Sequence, residues 1–325
     1  MQSRRTFLGS IAATAAFGWT ERGNATVQGF PSRPVHLVVG FAAGGPADLV
    51  ARLMGRWLSE RLGQPFVIDN RPGAATNIAT EAVVQAPTDG HTLLWVTATN
   101  AINATVYEKL NYDFIRDIAP VASISRNPLV LTVNPSVSAK TVPDLITYAR
   151  ANPGKLNFGS AGIGTPMHVA GELFKMMADL SMVHVPYRGE APALLDLLGG
   201  QVDVAFVTIA AAIDYIQSGR LRALAVTTAK SQRVLPDLPT IGNFLPGYEA
   251  SGWFGVGAPR GTPGEIINRL NQEINTGLAD PTIKSRLADL GSIVLASPPA
   301  EFEELIAEET KKWRKVVTFA GIKPE

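Results

Sequence analysis

Apolar positions fall in two rhythms along this chain, short continuous runs and longer stretches of helical spacing, and the two alternate. Residues 35–41, V-H-L-V-V-G-F, have the length of a buried parallel strand. Ala42, Ala43, Gly44 and Gly45 follow, and Pro46 suits the first turn of a helix, where its missing N–H costs nothing. Leu49, Val50, Leu53, Met54, Trp57 and Leu58 recur at helical spacing and predict an amphipathic helix over 46–62. The unit is strand, small-residue loop, helix. Such a loop is either a plain connection or an anion grip, in which backbone N–H groups and the helix dipole favour a negative group. Residues 156–177 repeat the unit: a strand through Phe158, a loop holding Gly159, Ser160, Ala161, Gly162 and Gly164, then Thr165 and Pro166 ahead of Val169, Leu173, Phe174 and Met177. Ser160 and Thr165 add hydroxyl donors. If the two loops belong to different domains and face one another, they can hold one anionic ligand from both sides.

The same rhythms predict further strands at 66–68, 92–96, 119–123, 129–133, 182–186, 201–207, 221–227 and 253–256. Helices are predicted at 77–84, from Thr141 as N-cap to Asn152-Pro153-Gly154, and at 190–198, 209–217, 263–278, 281–290 and 298–319. Residues 97–103 are small and polar and lie at the C-terminal end of a strand, where open α/β sheets bind ligands. Residues 235–246 read as a long surface connection. Phe302, Leu305, Ile306, Trp313, Val316 and Val317 form one stripe, expected to dock the last helix on the first domain. The alternation makes the fold class α/β, and the length favours two domains.

The first residues change the picture of location. Arg4-Arg5 followed by Phe7-Leu8 and an apolar stretch to Trp19 predicts an export signal of twin-arginine type over residues 1–25. Three arginines and one glutamate leave with that segment, so the net charge passes from +1 to −1. A near-neutral chain offers no footprint for nucleic acid. The absence of cysteine excludes disulfides, thiolate metal sites and a cysteine nucleophile. The four histidines are scattered, and no metal or other cofactor is expected. There is no phosphate-binding P-loop. Gly162-Ile163-Gly164 lacks the third glycine of a dinucleotide fingerprint, and Ser160 does not stand in G-x-S-x-G.

Several stretches carry a resemblance that covers the whole chain after the export signal, in order. They are P-S-R-P-V-H-L-V-V-G-F-A-A-G-G-P-A-D from residue 31, I-D-N-R-P-G-A-A-T-N-I-A-T-E at 68–81, and P-T-D-G-H-T-L-L at 87–94. L-N-F-G-S-A-G-I-G-T-P-M-H-V-A-G-E-L-F at 156–174, H-V-P-Y-R-G at 184–189, L-L-G-G-Q-V-D at 197–203, L-R-A-L-A-V-T-T at 221–228 and W-F-G-V-G-A-P-R-G-T-P at 253–263 continue it. The chain resembles the Bug-type substrate-binding proteins of tripartite tricarboxylate transporters. The resemblance implies a two-domain periplasmic-binding-protein fold, type II-like, with one ligand in the cleft between domains. The first domain is expected at 26–126 plus 253–325 and the second at 127–252. It further implies a monomer that captures a small organic acid and delivers it to the membrane permease subunits of such a transporter. A periplasmic sensor feeding a signalling partner, and an enzyme on the same scaffold, are the rival readings.

Carried onto this sequence, the ligand loops are 41–48 and 160–168, with 97–103 facing the cleft. The candidate ligand-binding residues are Phe41, Ala43, Gly44, Gly45, Asp48, Thr97, Thr99, Asn100, Ser160, Ala161, Gly164, Thr165, His168 and Arg188. Asp48 is either a charge set against the helix dipole or a group that orients a bridging water. Arg188 can pair with a carboxylate through its fork or form a surface ion pair. Arg71 is expected to be structural and His184 a packed strand residue. Asn100 stands where many relatives carry a His-containing variant, and Val207 where many have an acid. The loss of that acid leans the expected ligand away from amino acids, toward plain or aromatic carboxylates.

Overall fold

The computed structural model describes residues 29–107 and 109–323; the export-signal segment lies outside the described residues. The chain begins with β1 (Val35–Val39), α1 (Pro46–Leu62), β2 (Phe66–Asn70), α2 (Asn77–Val84), β3 (Thr92–Thr97), α3 (Ala98–Val106), α4 (Phe114–Asp117) and β4 (Ile118–Val133). It continues with α5 (Val142–Ala151), β5 (Asn157–Ser160), α6 (Pro166–Ala178), β6 (Val183–Pro186), α7 (Glu190–Leu198), β7 (Val204–Thr208), α8 (Ile209–Gln217) and β8 (Arg222–Val226). It closes with β9 (Ser251–Pro259), α9 (Gly264–Ala279), α10 (Pro281–Asp289), β10 (Ile293–Val294) and α11 (Pro299–Ala320).

The strands run in the order β2-β1-β3-β9-β4-β7-β5-β6, with β8 and β10 also on β4. β1 is parallel to β2 and β3, and β9 returns antiparallel beside β3. β5 is parallel to β6 and β7. β4 belongs to both groups. Its residues 118–128 pair with β9, and residues 129–133 pair with β7. Asn127 and Pro128 therefore do not separate two strands, as the sequence suggested. They continue the ladder opposite Gly252 and Ser251. Pro128 sits where the strand changes neighbours, a place that tolerates a missing N–H.

Apolar faces bury on both sides of each strand group. Val50, Met54 and Leu58 of α1 lie with Val35, Leu37 and Val39 of β1 and with Leu270 and Ile274 of α9 in one cluster. Phe158, Phe174, Phe206 and Tyr248 centre another around β5–β7. α11 departs from expectation, because it docks on both strand groups. Phe302 and Ile306 join the cluster of Val96 and Trp253, while Trp313, Val316 and Val317 join that of Phe174 and Phe206. The stretch 235–246 is not wholly superficial either, since Ile241 is fully buried. Among the described residues no helix is long and apolar enough to cross a membrane.

Candidate functional site

Parallel strands place their C-terminal ends on one edge. β1, β2 and β3 end at Val39, Asn70 and Thr97, and β5, β6 and β7 end at Ser160, Pro186 and Thr208. The two small-residue loops leave from these edges. Each opens a helix with proline in its first turn, α1 after Gly45 and α6 after Thr165.

The first loop is braced from beneath. Asp48 is buried, and its Oδ2 accepts the Gly44 N–H at 2.9 Å and Arg52 Nε at 2.9 Å. Asn70 Nδ2 donates to Asp48 Oδ1 and to the Phe41 carbonyl, both at 3.0 Å. Burial alone raises the Asp48 pKa, but the hydrogen bonds from Arg52, Gly44 and Asn70 outweigh it and hold the carboxyl below its ordinary value. Asp48 thus spends its oxygens on the loop itself. Among the described residues the N–H groups of Ala43 and Gly45 find no acceptor, and Ala43 and Gly44 are exposed while Phe41 is half-buried.

Thr97 ends β3 and caps α3, and residues 98–103 are the first turns of that helix. Asn100 Oδ1 accepts the Thr97 N–H at 2.8 Å, completing a capping box. Its Nδ2 donates to Thr76 Oγ1 at 3.1 Å and Thr80 Oγ1 at 2.9 Å. Asn100 is therefore a structural clamp with its amide fully engaged, and Thr97 and Thr99 are buried beside it. Sequence reasoning missed the turn that Asn100 clamps. Ala74, Ala75 and Thr76 have φ of 43°, 48° and 78°, a left-handed run without glycine. Such backbone costs about 1–3 kcal/mol per residue and clusters at functional sites. The signal for it lay only in the matched motif at 68–81. Asn103 Nδ2 donates to the Ala75 carbonyl and, at 3.3 Å, to Asn77 Oδ1. Its Oδ1 is buried without a partner among the described residues.

That oxygen faces the second loop. A Cβ on Gly164 would stand 3.1 Å from Asn103 Oδ1, and Gly164 has φ +72°. Gly40, at the root of the first loop, lies directly against Thr76. The first loop, the strained turn, α3 and the second loop thus form one continuous set of contacts. In the second loop Ser160 Oγ accepts the Gly162 N–H at 3.1 Å and lies 2.7 Å from His184 Nε2. Thr165 caps α6 and donates to the Gly162 carbonyl at 2.7 Å. His168 is buried, and its Nδ1 accepts the Gly164 N–H at 3.2 Å. Ala161 is half-buried; its N–H and that of Ile163, which sequence reasoning did not single out, have no acceptor among the described residues.

Arg188 is exposed and carries no ion pair among the described residues. The Tyr187 N–H donates to the Ser160 carbonyl at 3.0 Å and the Gly189 N–H to the Ala161 carbonyl at 3.2 Å, so Arg188 is tied beside the second loop. Arg71 pairs with Asp69 at 2.7 Å, a structural role. Val207 belongs to the apolar cluster of Val130, Leu197 and Ile209. Its side chain fills a core. The Ser160–His184 pair, which the sequence did not reveal, joins a hydroxyl to an imidazole. It lacks the parts of a catalytic triad: Ser160 is buried, and among the described residues no carboxylate bonds the His184 ring. No group of three His, Cys, Asp or Glu among the described residues could hold a metal.

Residues 50–322 match the model of the family described as tripartite tricarboxylate transporter family receptor, TctC. The chain belongs to that family. It is 34% identical to protein BugT of Bordetella pertussis over 90% of this chain and 91% of that protein. Among solved structures it is similar to Rpa4515 of R. palustris with adipate, with TM-score 0.82 and 41% identity, over 91% of this chain and 100% of that one. It is similar also to MatC of Rhodopseudomonas palustris with bound malate, with TM-score 0.78 and 33% identity, over 89% of this chain and 100% of that one. The fold is that of the periplasmic binding proteins, and the family is one of receptors, not enzymes.

Proposed function

We propose that the chain is an exported periplasmic receptor that grips the carboxylate of a small organic acid between its two helix-start loops. The observation that carries this reading is the unengaged N–H groups of Ala43 and Gly45 on one loop and of Ala161 and Ile163 on the other. A helix N-terminus contributes up to about 2 kcal/mol to a partly buried anion, and a charge-assisted hydrogen bond about 1.5–3 kcal/mol. Three or four such contacts, less the ordering cost, suffice for micromolar affinity, about 8 kcal/mol. Phe41, Gly44, Gly164 and Thr165 complete the walls, with Thr97 and Thr99 at the floor and Arg188 placed for a second acidic group. Asp48, Asn100, Ser160 and His168 hold these groups in shape.

The lobes are residues 26–126 plus 253–325, and 127–252. They close about the segments near 127 and 252 and about α11, which packs on both strand groups, and ligand that touches both lobes only when they are shut shifts the population toward closure. The closed monomer then presents the ligand to the permease subunits of a tripartite tricarboxylate transporter. Adipate and malate in the two similar structures support a carboxylate. A thermal-shift screen of mono-, di- and tricarboxylates, aromatic acids, amino acids, sugars and amines tests the reading. Carboxylates at 100 times their dissociation constant should add about 2.7 kcal/mol of stability. Hits confined to sugars or amines overturn it.

A further inference from the structure

Two histidines stand behind the second loop. His168, in the first turn of α6, and His184, on β6, stack face to face with ring centroids 3.7 Å apart and planes within 12°. Phe158 of β5 closes the stack beside His184, at 4.9 Å. Each ring reaches a different point of the loop. His184 Nε2 lies 2.7 Å from Ser160 Oγ at the root, and His168 Nδ1 accepts the Gly164 N–H at 3.2 Å at the crest. An Nδ1 that accepts leaves the His168 ring proton on Nε2, 3.9 Å from Glu172 Oε1.

Both rings are uncharged at neutral pH. Burial, then the neighbouring His184 and Lys175, push the His168 pKa down to about 3, and burial, then Lys175, push that of His184 to about 4. The charges around them are otherwise spoken for. Lys175 is paired with Glu172 at 2.8 Å on α6 itself. Lys312 of α11, which packs on α6, is paired with Glu249 and Glu309. Glu190 and Asp196 of α7 are bonded to Thr208 and Tyr187. The crest held by His168 is the same Gly164 that faces the orphaned Asn103 Oδ1 across the seam between loop and α3.

We propose that His168 and His184 are positioning residues for ligand capture: as a stacked, neutral pair they hold the crest and root of the second loop so that its N–H groups converge on the ligand. The role deepens the carboxylate-receptor reading and rests on it. His168 works through the acceptor it offers to Gly164, while its ring mass serves packing, and the two contributions can be separated. His168→Phe keeps a ring for the stack and loses the acceptor. His168→Asn loses the ring and keeps an oxygen at the position of Nδ1. Titration with adipate at pH 7.5 should find the Phe variant about tenfold weaker than the parent chain. The Asn variant should stay within about twofold. Thermal stability should rank the other way, Phe above Asn, because the Phe ring refills the packed site. Amide hydrogen exchange at Gly164, which needs no ligand, should be slow in the parent and the Asn variant and fast in the Phe variant. Failure of the parent to bind any carboxylate overturns the receptor reading, with the exchange result still deciding the loop brace. Affinity that follows stability through both variants, or an equally protected Gly164 amide in the Phe variant, overturns the positioning role.

Discussion

Asp48 shows how a residue near a ligand loop serves without touching ligand. A carboxylate one turn into α1 could be read as a dipole charge or as a water-orienting group. The structure gives it a third task, because it receives the Gly44 N–H, Arg52 and Asn70 at once. Asp48→Ala leaves the Gly44 N–H without its acceptor, Arg52 without its ion pair and Asn70 with the Phe41 carbonyl alone, a loss of about 2 kcal/mol by urea denaturation. Adipate binding should weaken with it, measured by titration. The sequence made the type and place of this residue legible but not its partners, because Asn70 comes from a strand 22 positions away. His184 is the same case: the strand position could be read, the stacking on His168 could not.

At the scale of elements, the strand–loop–helix units were legible because proline after small residues is a local signal. The Thr141 N-cap was legible for the same reason and stands as a capping box with Asp144. α3 was not. Its first residues, A-T-N-A-I-N-A, have weak helix propensity, and the helix is bought by tertiary bonds from Asn100 to Thr76 and Thr80. Asn100→Ala removes the capping box and leaves two buried hydroxyls short of a partner. The expected loss is about 2 kcal/mol by urea denaturation. A loss below about 0.5 kcal/mol would show that α3 does not depend on the clamp. β4 was read as two strands for a related reason. Local pattern breaks at Asn127-Pro128, whereas the ladder to β9 continues through it.

At the scale of the molecule, three segments pass between the strand groups: β4, the approach to β9, and α11. One charged network ties them. Arg126 Nη1 reaches Glu249 Oε1 and Ser251 Oγ, both at 2.8 Å, and Lys312 reaches Glu249 Oε2 at 3.2 Å. Burial raises the Glu249 pKa, and Lys312 and Arg126 together bring it below the ordinary value. Its contribution to stability is present above the unfolded carboxylate value and is lost as pH falls through the folded one. The two histidines act with the same sign. Their folded values of about 3 and about 4 lie under the unfolded value. Their contribution is full above pH ~6.5 and declines as pH falls from there toward about 3 for His168 and about 4 for His184, by up to about 1.4 kcal/mol per pH unit for each ring. Urea denaturation at pH 7.5, 5.5 and 4.5 should show that decline, and His168→Phe should make it shallower, with the share of His184 remaining. The straddling position of α11 was not legible in its apolar stripe, which says that a face is buried but not against what.

The central claim is that two facing loops grip one carboxylate, and the most direct test is calorimetric titration of adipate into the parent chain, Gly44→Val and Gly164→Val. Gly44 and Gly164 have φ of +86° and +72°, and a β-branched residue at either strains the loop and blocks close backbone approach. The account predicts micromolar binding by the parent and loss of binding, about a hundredfold or more, in each variant while both remain folded. Parent-like affinity in either folded variant would contradict the two-loop grip.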